Sequence, residues 1–274
     1  MHLEGPSQQL NRRSASQTLV AETSAPKSNT IHRPWLLGRM VYWWSLSVAA
    51  LLVAVFGTTI LFVSRLADRR EWVYPWALWG TRAWLRLSGM KVRVRGLKLL
   101  DPKQTYLFVS NHHSYLDTVT LFRYTGRRIG MIAKKELLKV PILGRGMGYV
   151  NVMAIDRSNH ERALRTMRAA VERIRSGVSF GVFAEGTRAG PGQMLPFKKG
   201  GFRMAIEAGV PIAPVAIKNT DVLMGKGTGV AWPGTIEVVF LPPVDTSRVS
   251  GEKELKRLVE EVQTAIATEL GFEE

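Results

Sequence analysis

Cysteine is absent from the 274 residues. That excludes disulfides, Cys-ligated zinc and thiol catalysis, though it does not fix the compartment. Negative charge is scarce, with 22 acidic residues against 38 Lys and Arg, a formal balance of +16. Such a surface calls for an anionic partner: nucleic acid, acidic lipid or a phosphorylated substrate. There is no internal repeat, and no G-x-S-x-G elbow surrounds Ser114 to make it a nucleophile. Charge of either sign is missing from residues 40–64, and hydrophobic periodicity is missing from the Ser-, Gln- and Thr-rich residues 1–30. The latter read as a disordered tail. A cleaved signal peptide fits poorly, because the apolar run starts far from Met1.

Hydrophobic residues make up 46% of the chain, enough for a sizeable core, and the length suits one domain with extensions. The positive excess is uneven. Residues 65–100 carry nine Lys/Arg against two acids, and 123–175 carry thirteen against four. Residues 252–274 reverse the sign, with seven acids against three bases.

The uncharged run at 40–64 has 25 residues, flanked by Arg39 and Arg65. A helix of that length can cross a hydrocarbon core about 30 Å thick. Tyr42, Trp43 and Trp44 stand where an aromatic belt would lie. The competing reading is a buried core helix. The next stretch, 71–90, interleaves four Trp with Arg82 and Arg86. Trp72, Trp76, Trp79 and Leu87 predict an apolar face lying in the headgroup layer, or alternatively a packing helix of the globular part. Basic residues on both sides of the first run make the positive-inside signal weak, and a re-entrant helix pair is an alternative to a span.

From residue 91 the pattern predicts α/β. Strands are expected at 91–95, 105–110, 129–133, 178–183, 212–217 and 235–240. Helices are expected at 117–124, from a Ser158/Glu161 capping box onward, at 200–208, and at about 252–270 with Ser250 as cap. The expected fold class is α/β, a central mixed sheet flanked by helices, preceded by a membrane-associated helical segment.

Four short stretches carry the chemistry. Residues 110–117 read SNHHSYLD and bridge a strand end and a helix, where α/β folds place their sites. His112 and Asp117 would point about 140° apart on one helix. They meet only if the strand-to-helix junction turns between them. Asp117 would then hold one ring nitrogen of His112 and leave the other as a base. A metal held by His112, His113 and Asp117 is a weaker reading, since adjacent residues on a strand end point opposite ways. Residues 183–188 read FAEGTR: Gly186 permits a tight turn and Arg188 offers a planar fork for a phosphate. Residues 155–157 read IDR, and 210–215 read VPIAPV.

In that order and spacing, NH-x4-D, IDR, FAEGTR and VPIAPV resemble the four blocks of the glycerolipid acyltransferases, and most closely the 1-acylglycerol-3-phosphate acyltransferase branch. The resemblance covers roughly 90–245, and residues 131–148 are similar to the stretch between the first two blocks. Ala184 departs from the family's usual Pro, and His113 stands where Gln or another polar residue is frequent. The resemblance implies acyl transfer without an acyl-enzyme, with His112 as general base oriented by Asp117. It implies an acceptor site formed by Glu185, Gly186, Thr187, Arg188 and Arg157, joined by Lys134 or Lys135. The implied donor is acyl-CoA or acyl carrier protein, and the implied partners are a membrane lipid acceptor and the bilayer. No metal or bound cofactor is implied. The expected layout is a tail at 1–30, membrane-anchoring helices at 31–90 and a catalytic domain at 91–274. The expected place is the inner membrane, with the catalytic domain on the cytoplasmic face. Nucleic-acid binding, suggested by charge and tryptophan, lacks any supporting spacing and sits badly with the uncharged run.

Overall fold

In a computed structural model of the chain, residues 34–66 and 73–272 are described. The expected tail at 1–30 and Trp72 lie outside them.

The chain enters through α1 (Trp35–Leu52), which continues through one wider helical turn (Val53–Gly57) into α2 (Thr58–Leu66). α3 (Val73–Leu87) then runs back alongside. The antiparallel packing is fixed by polar contacts at one end and aromatic ones at the other. Ser45 and Ser88 share a buried hydrogen bond of 2.8 Å, and Trp84 Nε1 donates to the Ser45 carbonyl at 2.9 Å. Farther along, Phe56 lies 5.0 Å from Trp79 and 5.9 Å from Trp76. Gly38 lets α1 touch the remaining domain: a Cβ there would come within 2.5 Å of the Trp232 ring.

The domain that follows holds one seven-stranded sheet, ordered β1-β7-β6-β2-β5-β3-β4. Its strands are β1 (Met90–Arg95), β2 (Leu107–Ser110), β3 (Ile129–Lys134), β4 (Val152–Ile155), β5 (Ser179–Phe183), β6 (Ile212–Lys218) and β7 (Gly234–Phe240). Only the β6–β7 pairing is antiparallel, so β2 through β6 all end at one edge. Strands buried on both faces must alternate between two cores. In β2, Leu107 and Val109 join one cluster and Phe108 the other. The first core is covered by α6 (His160–Arg175), α7 (Lys199–Ala208) and α9 (Glu252–Leu270). The second is covered by α3, α4 (Tyr115–Tyr124) and α8 (Thr220–Met224). The short α5 (Leu143–Gly146) lies in the long connection from β3 to β4.

The sheet agrees with the mixed α/β expectation, and all six expected strands are present. Three local readings are corrected. β4 was not expected: its four residues form an edge strand beside β3, too short for a periodic signal. Ser158 does not cap α6. Asn159 does, accepting from Arg162 N at 2.9 Å, because the Ser158 hydroxyl is taken by Asp156 Oδ1 at 2.6 Å. Ser250 does not cap α9 either: Gly251 holds that position without a side-chain bond, and Glu252 and Glu254 supply negative charge to the first turn.

Candidate active site

The end of β2 turns directly into α4, and that junction builds the site. Asn111 is fully buried and tied to β6, accepting from Ile217 N at 2.8 Å and donating to the Ile217 carbonyl at 2.9 Å. Ser114 caps α4 and donates to the Met224 carbonyl at 2.6 Å, so its hydroxyl is fully employed in structure. Asp117, in the first turn of α4, completes a capping box by reaching back to the Ser114 N–H at 2.7 Å. The same oxygen, Oδ2, accepts from His113 N at 2.6 Å and from the His112 ring at 2.9 Å.

This carboxylate sets the tautomer of His112. Nδ1 must carry the hydrogen donated to Asp117, which leaves Nε2 with a lone pair. Among the described residues, Nε2 of His112 has no hydrogen-bond partner. The imidazole lies flat on the Phe183 ring, 3.9 Å away with planes 12° apart, and its side chain is 16% exposed. It is therefore held on one face and on one nitrogen while Nε2 stays reachable. His113 is different: Nε2 donates to the Gln193 carbonyl at 2.7 Å and Nδ1 faces the Asn111 amide at 3.1 Å. Both its ring nitrogens are occupied, so it braces the loop and is turned away from His112.

Glu185 follows β5 and is buried. Its carboxylate accepts His112 N at 2.7 Å and Leu195 N at 2.9 Å, fastening the His112 loop to the 189–195 loop. Burial pushes its carboxyl upward, against the opposing pull of these two N–H donors. With both oxygens occupied by backbone, it shapes the site from beneath. Gly186 adopts φ of +73° beside Lys198, and its carbonyl accepts from Arg157. Thr187 is exposed on the same turn. Arg188 lies over the Tyr115 ring, 3.9 Å from its centroid, with no ion-pair partner among the described residues.

Lys134 and Lys135 close β3 at the same edge. Lys135 is committed to a fixed cluster, reaching Asp156 Oδ1 at 2.6 Å and Ser158 at 2.8 Å, and these partners hold the Asp156 carboxyl well below the usual range. Lys134 is exposed and pairs with Glu136 at 3.6 Å. All nine sequence-predicted site residues thus converge on one sheet edge. The VPIAPV stretch does not join them: it opens β6 at the opposite end, with Pro214 placed just before the β6–β7 ladder begins at Val215. Phe183, Tyr115 and Leu195 are contacts that sequence reasoning missed. Phe183 was within reach as the first residue of the FAEGTR block, whereas nothing in the sequence marks the other two.

A family model described as Acyltransferase matches residues 91–218. The 1-acyl-sn-glycerophosphate (LPA) acyltransferase of Thermotoga maritima has a similar structure, with a TM-score of 0.72 and 31% identity, covering 87% of this chain and 98% of that one. The chain belongs to the 1-acylglycerol-3-phosphate acyltransferase family. A 1-acyl-sn-glycerol-3-phosphate acyltransferase of Limnanthes alba is 33% identical over 175 residues, 64% of this chain and 61% of that protein. The alpha form from Mus musculus is 34% identical over 184 residues, 66% of this chain and 64% of that protein. The matched region thus spans less than two thirds of either of these two relatives. The family match covers β1 to the end of β6, the segment that carries His112, Asp117, Arg157 and the 183–188 turn.

Proposed function

We propose that the chain transfers a fatty acyl group from an acyl thioester, acyl-CoA or acyl carrier protein, to the free hydroxyl of 1-acylglycerol-3-phosphate. The product is phosphatidic acid, a precursor of phospholipids. The observation that carries this reading is the His112–Asp117 pair, with Nδ1 fixed at 2.9 Å and Nε2 open at the edge of the site. Nε2 takes the proton of the acceptor hydroxyl as its oxygen attacks the thioester carbonyl. The C–S bond then breaks, and the imidazolium returns the proton to the leaving thiolate. Asp117 steadies the imidazolium charge. Arg188, over the Tyr115 ring with no ion-pair partner among the described residues, and Arg157 beside the Gly186 carbonyl are suited to the acceptor phosphate. Lys134 is the nearer of the two lysines to this role, since Lys135 is held by Asp156.

The same proposal places residues 31–90 at the membrane and 91–274 beside it. The helix Trp35–Val63 spans 29 residues, and its most apolar 18-residue stretch has mean hydropathy 2.5 and little burial, long and apolar enough to cross a bilayer. Its return partner α3 exposes Trp76 and Trp79. Because α1 touches the domain at Gly38, and the wider turn after it meets Ile142 at Gly57, the pair lies along the domain, an arrangement that favours a re-entrant seat. The bilayer proposed is the inner membrane, with the domain on its cytoplasmic face.

The test is acyl transfer from acyl-CoA to lysophosphatidate in detergent, wild type against His112→Ala, with acceptor binding checked in both. Phosphatidate formation by wild type and a rate loss of roughly 10²-fold or more in a variant that still binds is expected for a general base. Full activity in the variant would overturn the assignment. Turnover of glycerol-3-phosphate or another lyso-lipid instead would move the acceptor and keep the chemistry.

A further inference from the structure

A second cationic feature lies away from His112. A groove runs along one flank of α3 and continues past the C-terminal end of α4. It is lined by six cations, Arg82, Arg86, Lys91, Arg123, Arg127 and Arg128, and, among the described residues, by no carboxylate. None of these residues makes an ion pair among the described residues. Two of them build the groove floor. Arg123 donates to the Leu78 carbonyl at 2.7 Å, and Arg127 reaches the Asp101 carbonyl at 3.1 Å over the Tyr106 ring. The other four, Arg82, Arg86, Lys91 and Arg128, are exposed. Asp117 opens α4 and Arg123 stands near its end, so the groove and the candidate active site belong to different ends of that helix.

Leaving so many like charges together is unfavourable unless an anion covers them. The source of that anion is indicated by α3. Trp79, Arg82 and Arg86 follow at helical spacings of three and four, so they share a stripe. An exposed Trp edging an exposed Arg row is the arrangement of a headgroup layer, with the ring at the apolar boundary and the guanidinium at the phosphates. We infer that this groove is a binding site for the phosphate of an anionic membrane lipid, separate from the acyl-acceptor site. The inference rests on the membrane seat proposed above and is independent of acyl transfer.

The experiment gives the full chain a choice. Protein is mixed with equal amounts of neutral phosphatidylcholine vesicles and vesicles containing phosphatidylglycerol, carrying different dyes, and its partition is read after flotation. Wild type is expected to favour the anionic vesicles. Because each surface cation contributes roughly fivefold, Arg82→Gln/Arg86→Gln/Lys91→Gln/Arg128→Gln should reduce that preference by tenfold or more while binding to neutral vesicles persists. A control removes four exposed cations elsewhere, Arg168→Gln/Arg173→Gln/Lys253→Gln/Arg257→Gln, and should keep most of the preference. The Lys91→Gln/Arg128→Gln pair, clear of the α3 helix, should give an intermediate loss. An unchanged preference in the groove variants, or an equal loss in the control, would overturn the site.

Discussion

Asp117 Oδ2 serves the His112 ring and two backbone N–H groups at once, while Oδ1 is buried without a partner among the described residues. These duties separate by substitution. In Asp117→Asn the amide oxygen can keep the cap while the charge is lost. Its melting temperature should stay within a few degrees of wild type, while kcat falls roughly 10²-fold. Asp117→Ala should lose both, since each buried N–H left unpaired costs about 1–3 kcal/mol. Thermal melts run beside the transfer assay check the split. Gly186→Ala should cost about 1–2 kcal/mol in denaturant unfolding, because φ there is +73° and Lys198 crowds the missing Cβ. The meeting of His112 with Asp117 was legible because a buried strand, a turn and an apolar periodic helix could be read on either side of it. The double duty of Glu185 was not, because its partner Leu195 lies in a loop whose path no periodicity reveals. Nor was the capture of Lys135, since Asp156 reaches it only through the β3–β4 pairing.

Among the elements, α3 meets the packing reading of its sequence on one side and leaves tryptophans exposed on the other. Tyr74 and Leu85 are buried in the second core, and Tyr74 accepts from Ile129 N at 2.9 Å. Trp76 and Trp79 remain 46% and 57% exposed on the other side. Replacing both tryptophans by Gln should therefore weaken vesicle binding at least severalfold, with only a modest drop in the unfolding midpoint from the lost Phe56 contacts. Tyr74→Ala should do the reverse, costing about 3–5 kcal/mol. The long strands and helices were readable from their periods of two and 3.6. What escaped notice was short: four-residue β4 and the brief helical turns between β3 and β4, where fewer than two periods repeat.

At the scale of the whole molecule, the ion-pair cluster around Asp156 ties β3 to the start of α6. Its carboxyl is lowered in the fold, chiefly by Lys135 and then Ser158. The contribution is thus present above the ordinary carboxylate value of about 4 and is lost as the pH falls through the lowered folded value. Asp156→Asn should lower the melting temperature by a constant amount from neutral pH to about pH 5, with the gap closing below about pH 4. Melts across that range check the sign.

The packing of α3 also bears on how the protein can be handled. A tempting route to a water-soluble form is to delete everything before Met90. That cut would take away Tyr74 and Leu85, together with the Ser45–Ser88 contact and the α1 seat on Trp232. The shortened chain would bare Phe122, Ile129 and Met131, a freshly opened apolar surface that favours aggregation. Solubility is better sought by recolouring the exposed sides of α1 and α3 with polar residues and keeping their inner faces intact.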